Sequence, residues 1–261
     1  MDIGRIWALV EYDFTMIKKD KHRWSQMIYF PLATLLAWGF FSIYAASFAF
    51  QAAFIILIIQ IFWQFSFLSQ STVSTQVMED IWSRSLRELL STPITVSEFL
   101  VARSITSTAR SLFSLFIMFI VADLFFHANF FQNFLTMFPL AIYALVASIG
   151  FGIIVISVIL RFGQGLNFLA WSVTTGIMFL SAPFFPLSIL PQALQYVAYF
   201  IPYTWIFQAV KEFVAAGSIS FTTSMLAFAS SAIYFVASFP LFFYTFEKAR
   251  ERGRLIRLWA G

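Results

Sequence analysis

Long stretches without a single charged residue are the feature of this 261-residue chain that most restricts its fold. They lie at residues 24–78, 124–160, 162–210 and 213–246. A helix needs about 20 apolar residues to cross the roughly 30 Å of hydrocarbon in a bilayer. The first stretch can therefore hold two membrane-spanning helices and each later one at least one. A further span fits between Arg103 and Leu124.

The composition agrees with a chain that has lipid as its main solvent. Apolar residues make up 61% and charged residues 11%, against about 25% charged residues in soluble domains. Helices are expected because lipid leaves each backbone polar group to be satisfied within its own segment, and because these runs lack the alternation of barrel strands. We predict one all-α polytopic domain over 1–261, with six transmembrane helices near 27–48, 51–71, 105–126, 135–160, 165–183 and 222–246.

The first 23 residues have the pattern of an amphipathic helix that lies in the membrane interface. One face carries Ile3, Ile6, Trp7, Val10, Phe14 and Ile17. The polar positions around the rest of the helix are Asp2, Arg5, Glu11 and Asp13. A basic flank follows, formed by Lys18, Lys19, Lys21 and Arg23, which suits anionic lipid headgroups. This flank is also what an ordinary first span would carry, and the two interpretations are compatible.

The distribution of basic residues predicts the orientation. Counting Arg110 with its nearer flank, six spans place all of the 16 Lys and Arg residues except Lys211 on one side. That side includes the N-terminus, the loop before the third span and the basic tail at 247–261. By the positive-inside rule both termini are cytoplasmic in an inner or plasma membrane.

The loop before the third span, at 76–98, predicts a short amphipathic helix followed by a break. The apolar face of the helix holds Ile81, Trp82, Leu86, Leu89 and Leu90, and the charged face Glu79, Asp80, Arg84, Arg87 and Glu88. Pro93 disfavours helical geometry at Thr92, and Thr95 with Glu98 fits a capping box that restarts the helix. The charged face is available to a cytoplasmic partner. An interfacial helix without a partner remains an equal alternative.

The segment before the last span is apolar but rich in proline. Its prolines are Pro183, Pro186, Pro191 and Pro202. Since proline at this density breaks regular helices, we predict short re-entrant helices near Leu190–Phe200 and Thr204–Ala215 that dip into or lie on the outer leaflet. The alternative is one more irregular span, which the charge distribution opposes.

Polar residues inside the spans are candidates for a substrate path. They are Gln60, Gln64 and Ser71 in the second span, and Ser172, Thr175 and Gly176 in the fifth. The simpler interpretation, which we favour, is that they form hydrogen bonds between helices. A row of small residues, Ala144, Ser148 and Gly152, predicts close helix packing. Arg110 is expected to snorkel towards the cytoplasmic headgroups, and Asp123 to anchor the outer end of its helix.

The sequence offers no motif for catalysis. It has no cysteine, and its two histidines, His22 and His127, lie far apart, so neither thiolate chemistry nor a His-rich metal site is expected. It contains no phosphate-binding loop and no metalloprotease or serine hydrolase motif. We expect a chain without an ATP-hydrolysing domain, a bound cofactor or a nucleic-acid partner.

Two segments carry a resemblance to a known family. The run SRSLRELLSTPITVSEFLVAR, at 83–103, is similar to the cytoplasmic signature of ABC type-2 exporter permeases. The run SAPFFPLSILPQALQYVAYFIPYTWIFQAV, at 181–210, resembles their proline-rich segment before the last span. The six-span layout, the N-terminal helix and the basic tail agree, so the resemblance covers nearly the whole chain.

The resemblance implies an ATP-powered permease that exports a drug, lipid, glycolipid or polysaccharide. Two such chains, identical or similar, would form the pathway, and a separate cytoplasmic ATPase dimer would drive it. In that picture Ile3–Lys18 is the connecting helix. Residues 184–216 gate the exit. The ATPase-coupling residues are Glu79, Asp80, Arg84, Arg87, Glu88 and Leu89. The alternatives are an ion-coupled secondary transporter, which would want acidic residues at the midplane, and a membrane assembly protein.

Overall fold

The computed structural model describes residues 1–47, 50–82, 92–126 and 133–251, which are mostly helical and contain no strand. In chain order the helices are α1 (Ile3–Lys19), α2 (Phe30–Ala46), α3 (Phe50–Trp82), α4 (Val96–Phe126), α5 (Phe134–Phe162), α6 (Leu169–Leu180), α7 (Gln192–Phe200), α8 (Pro202–Ala216) and α9 (Phe221–Glu251). A short helix, Lys21–Trp24, and a π-helical turn, Ser25–Tyr29, precede α2. The predicted all-α fold is confirmed.

Five helical segments in the described ranges are long and apolar enough to cross a membrane. They are Ser25–Ala46, Ala53–Asp80, Val96–Phe126, Leu135–Phe162 and Phe221–Glu251. The predicted fifth span, 165–183, forms only the 12-residue helix α6, which is about 18 Å long and so shorter than predicted. The chain turns at Gly163, whose φ is 102°, before α6, and at Ala182, whose φ is 48°, after it.

Helix α3 extends further than the predicted second span, 51–71. The end of α3 carries Ser71, Thr72, Ser74 and Gln76, all of them buried. The Ser74 hydroxyl lies within hydrogen-bond distance of the Gly152 carbonyl oxygen of α5, at 3.3 Å. Polar side chains therefore continue the helix past residue 71 because they pack against protein.

Helix α5 approaches two neighbours at the level of the backbone. A Cβ atom on Gly152 would lie 3.0 Å from the Gln70 carbonyl oxygen of α3. A Cβ atom on Gly150 would lie 2.9 Å from the Cα atom of Phe235 in α9. Ala144 and Ser148 are fully buried. The small-residue row thus permits the predicted close packing, and Gly150 adds a second contact that the sequence did not indicate.

Helix α1 packs on the rest of the protein through part of the predicted apolar face, namely Ile6, Val10 and Ile17, together with Leu9. Leu9 and Val10 are buried in an apolar cluster with residues of α3, α4, α5 and α9, and Ile6 packs against that cluster. Ile17 is also buried. Ile3 and Trp7 are 82% and 64% exposed. A helix with one apolar stripe against protein and exposed apolar residues at its beginning suits the membrane interface.

The proline-rich segment forms the two short helices that were predicted. Helix α7 begins at Gln192 rather than Leu190 and ends at Phe200. Helix α8 begins with Pro202 at its first turn and ends at Gly217, whose φ of 69° gives a left-handed cap. Most of α7 is exposed, whereas α8 is buried among α3, α5 and α9. Pro191, directly before α7, and Pro202, the first residue of α8, thus define where the two helices begin.

Candidate coupling site

The start of α4 is capped by a glutamate that also binds α1. Glu98 Oε2 accepts a hydrogen bond from the Thr95 amide at 2.8 Å, and Thr95 Oγ1 accepts one from the Glu98 amide at 3.3 Å. The predicted capping box is therefore confirmed. In addition, Glu98 Oε1 accepts a bond of 2.6 Å from the amide of Asp2. The Glu98 side chain is 2% exposed, so this cap also fastens the N-terminus of α1.

A buried arginine joins three helices one to two turns further along α4. Arg103 is 2% exposed and forms ion pairs with Asp13 of α1 and, at 2.7 Å, with Asp80 of α3. The Thr106 hydroxyl donates a second hydrogen bond to Asp13, at 2.9 Å. Because buried charges are costly unless they are paired, these contacts hold α1, α3 and α4 at fixed positions relative to one another.

Two further contacts lie closer to the surface. Arg23 Nη2 lies 2.9 Å from Glu79 Oε2 near the end of α3. Arg5 of α1 donates a hydrogen bond to the carbonyl oxygen of Pro93. Partly exposed pairs of this kind contribute about 0–1 kcal/mol each. They therefore orient the N-terminal segment but add little to its stability.

Together these contacts fasten the N-terminal segment to both flanks of residues 83–91. Asp80 and Glu79 lie on the side before that loop, and Pro93 and Glu98 on the side after it. The N-terminal segment is therefore tied to the two helix ends that flank residues 83–91.

The residues predicted to contact an ATPase are placed unequally. Glu79 has a side chain that is 53% exposed, so part of it is open to a partner. The Asp80 side chain is only 13% exposed and pairs with Arg103, so it does not belong to the exposed charged face that was predicted. Arg84, Arg87, Glu88 and Leu89 lie outside the described residues. The coupling role stays a prediction.

The predicted pathway residues do not come together in one chain. Gln60 and Gln64 are buried within the helix bundle, whereas Ser172 is exposed and Thr175 half-buried. The polar residue of α6 that faces the protein is Thr174, which donates a hydrogen bond to Gln70 of α3. The hydrogen bond of Thr174 agrees with the interpretation that polar residues in the spans link neighbouring helices. Ser172 faces away from the chain.

The outer segment is held by stacked rings and by one lysine. The Phe184 ring stacks on Trp38 of α2 and Trp63 of α3, with ring centroids 5.1 and 6.2 Å apart. Lys211 Nζ donates hydrogen bonds to the carbonyl oxygens of Ala182 at 2.6 Å and Phe185 at 2.8 Å. Burial lowers the pKa of Lys211 to about 8, because the charged amine loses hydration. These contacts fix the turn between α6 and α7 on both sides of Phe184.

Comparison with known protein families shows which family the chain belongs to. The sequence model of the ABC-2 type transporter family matches residues 5–215, which include the N-terminal helix, the loop before α4 and the outer segment. The chain belongs to the ABC-2 type transporter family. A comparison with curated proteins finds no match. As an ABC-2 type transporter domain the chain is a multi-pass permease subunit of an ABC transporter.

Several residues of this ABC-2 type transporter were not identified as important from its sequence. Asp13 was assigned to the polar face of α1, and Arg103 only to the beginning of a span. Their spacing in sequence, across 90 positions, gives no local signal. Arg110 was expected to snorkel to the headgroups but is 3% exposed. The one available signal was that both arginines sit beside apolar runs, where a charge needs a partner.

Proposed function

We propose that this permease subunit exports a drug, lipid, or glycolipid or polysaccharide-type substrate, and that a separate cytoplasmic ATPase dimer drives it. The observation that carries the proposal is the fastening of α1 to both flanks of residues 83–91. An ATPase that pushes on this loop would move α1, α3 and α4 as one unit. Movement of a rigid unit against the rest of the bundle is the usual structural basis of a switch between two states.

The family supports the ATPase partner, and the aromatic outer segment supports export. A protein of this family pairs with an ATP-binding subunit. Phe184 stacks on Trp38 of α2 and on Trp63 of α3, and Trp63 is 19 residues, or about 29 Å along α3, from the end of that helix at Trp82. Opening there in response to a push at the loop would release a substrate on the outer side.

The coupling proposal predicts the effect of charge reversal in the loop. The double variant Arg87→Glu with Glu88→Arg should lower transport and the stimulation of ATP hydrolysis at least about tenfold, equivalent to about 1.4 kcal/mol. Membrane insertion should be unaffected. The measurement is ATP hydrolysis and substrate efflux in vesicles that contain the permease and its ATPase partner.

A matched control is available in α9. Glu247 and Arg250 form an exposed ion pair, 3.9 Å apart, outside the loop. Reversing both charges should leave transport close to that of the native chain. If the loop variant transports as well as this control, ATPase docking at 83–91 is wrong.

The orientation proposal places α1 on the cytoplasmic side and the end of α8 outside. The chain has no cysteine, so single cysteines can be labelled without background. An impermeant thiol reagent applied to intact cells should label a cysteine at Ser218 and spare one at Lys18, both of which are exposed. The reverse pattern would overturn the orientation, and permeabilised cells, in which both sites should react, provide the control.

A further inference from the structure

Arg110 is a buried cation of α4 whose hydrogen-bonding groups are incompletely paired. It is 3% exposed, and its Nε and Nη2 atoms have no hydrogen-bond partner among the described residues. Arg103, seven residues earlier and therefore on the same face of α4, is paired with two carboxylates. Because an unpaired buried charge costs several kcal/mol, Arg110 has the properties of a group that receives a ligand.

The surface of α3 that packs on α4 carries further unpaired polar groups. The Ser107 hydroxyl of α4 donates a 2.8 Å hydrogen bond to the Ser69 carbonyl oxygen, so these two faces are in direct contact. On α3, the Ser69 hydroxyl and both side-chain polar atoms of Gln76 have no partner among the described residues. Ser69 and Gln76 are seven residues apart and share one helix face. We call Ser69, Gln76, Ser107 and Arg110 the polar seam.

Carboxylates near the polar seam already have other partners. The described carboxylates that act electrostatically on Arg110 are Glu79, Asp13 and Asp20. Asp13 pairs with Arg103, and the other two pair with Arg23. The described part of the chain therefore supplies no spare carboxylate for Arg110.

With α1 in the membrane interface, as its sequence predicts, Arg110 lies near the boundary between headgroups and acyl chains. Asp13 of the interfacial helix α1 accepts a hydrogen bond from Thr106, which places Thr106 at the level of α1. Arg110 is one turn further along α4, about 6 Å deeper. Side chains in helices lean back towards the N-terminus, so the guanidinium points towards the headgroups. Trp24 packs edge-on against Phe113, with ring centroids 6.1 Å apart, and so brings the end of the basic flank to this level.

We propose that the polar seam binds the anionic headgroup of a membrane amphiphile, with Arg110 as the cation that pairs with a phosphate-type oxyanion. Gln76 and Ser69 supply neutral hydrogen bonds to the same headgroup. Guanidinium and phosphate groups match in charge and in geometry. The role of this ligand as cargo rests on the proposed function, whereas its binding does not.

The test measures lipid binding by the purified chain without an ATPase, so that failure of the transport proposal leaves it intact. The protein is placed in nanodiscs of phosphatidylcholine, with or without phosphatidylglycerol, and retained lipid is identified by native mass spectrometry. The native chain should prefer phosphatidylglycerol. Arg110→Gln should reduce that preference at least about tenfold, as expected for loss of a charge-assisted hydrogen bond, and Arg110→Lys should keep part of it.

Thermal unfolding separates a ligand-binding role from a structural one. Phosphatidylglycerol should raise the unfolding temperature of the native chain but not that of Arg110→Gln. Without the anionic lipid this variant should be at least as stable as the native chain, because an unpaired buried charge has been removed. Arg161→Gln, at an exposed arginine of α5, should behave as the native chain does.

Four results would overturn the proposal. The first is that Arg110→Gln keeps the native preference for phosphatidylglycerol. The second is that this variant is much less stable than the native chain when no anionic lipid is present. The third is that inorganic phosphate raises the unfolding temperature of the native chain in phosphatidylcholine as much as phosphatidylglycerol does. The fourth is restoration of an unstable Arg110→Glu variant by Glu88→Arg, which would make Glu88 of this chain the partner.

Discussion

At the scale of single residues, the chain contains two arginines on one face of α4 with opposite surroundings. Arg103 forms ion pairs with Asp13 and Asp80, and the Thr106 hydroxyl donates a hydrogen bond to Asp13. Arg110 has no such set among the described residues. The Nε atom of Arg103 also lacks a hydrogen-bond partner among the described residues, but two carboxylates balance its charge. A buried arginine paired with carboxylates fixes a structure, whereas a ligand can stabilise one that has no carboxylate partner.

The paired arginine predicts a measurable loss of stability. Asp13→Asn removes one of two carboxylates from Arg103 and should destabilise the protein by about 2 kcal/mol. This is below the usual 3–5 kcal/mol for breaking a buried pair because Asp80 remains. Adding Arg103→Gln to that variant should cost less than it does in the native chain, since the two sites share one network. Thermal unfolding in a fixed detergent provides the measurement.

The exposed pair at the end of α9 is the control for this prediction. Arg250→Gln, which breaks the contact with Glu247, should change stability by no more than about 1 kcal/mol. Equal effects of Asp13→Asn and Arg250→Gln would contradict the assignment of Asp13 as a buried tie between α1 and α4.

At the scale of helices, the sequence predicted those features that depend on near neighbours in the chain. The capping box at Thr95 and Glu98 is local and was predicted correctly. The proline breaks around α7 and α8 are also local, although α7 begins two residues later and α8 two residues earlier than predicted. The end of α3 was placed too early because Ser71–Gln76 is polar, and only the distant backbone of α5 explains why those residues remain helical. The length of α6 was overestimated because the turn at Ala182 depends on Lys211, 29 residues away.

Lys211 should therefore control the order of the turn after α6. Lys211→Met removes hydrogen bonds to two carbonyl oxygens and should speed amide hydrogen exchange at Ser181 and Ala182 at least about tenfold, since bonds to charged groups contribute about 1.5–3 kcal/mol. Lys248→Met in α9, whose amine contacts Tyr244, should leave exchange at these amides unchanged. Unchanged exchange in Lys211→Met as well would show that the stacked ring of Phe184 fixes the turn without the lysine.

The Lys211 amine should also make the stability of the protein depend on pH. Its pKa falls from 10.5 to about 8 in the folded protein, so the unfolded chain binds more protons between these values. Stability should therefore rise with pH across this window in the native chain, relative to Lys211→Met. A constant difference between the two proteins over the window would contradict the shift.

At the scale of the whole molecule, the helices are buried to very different extents. In an 18-residue apolar window of each span, 67% of the residues are buried in α3 and in α5, against 28% in Ser25–Ala46 and 22% in α9. α3 and α5 therefore form the centre, and α2 and α9 lie at the periphery against lipid or another chain. Helix α6 also turns one face outwards, and this face contains Ser172 and Gly176 beside Trp171.

A polar and small-residue face directed at lipid predicts a second copy of the chain at α6. The Ser172 hydroxyl would find no hydrogen-bond partner among lipid chains, and nothing lies within 4 Å of a Cβ atom placed on Gly176. Both residues therefore suit the close approach of another helix. A twofold pair would also create a path between protein surfaces, as a large amphiphile requires, and twofold dimers are the commonest assembly. Cysteines at Ser172 or Gly176 should form cross-linked dimers in membranes and block export. A cysteine at Ile233, exposed on α9, should not. A monomer in lipid that still transports with its ATPase would refute the dimer.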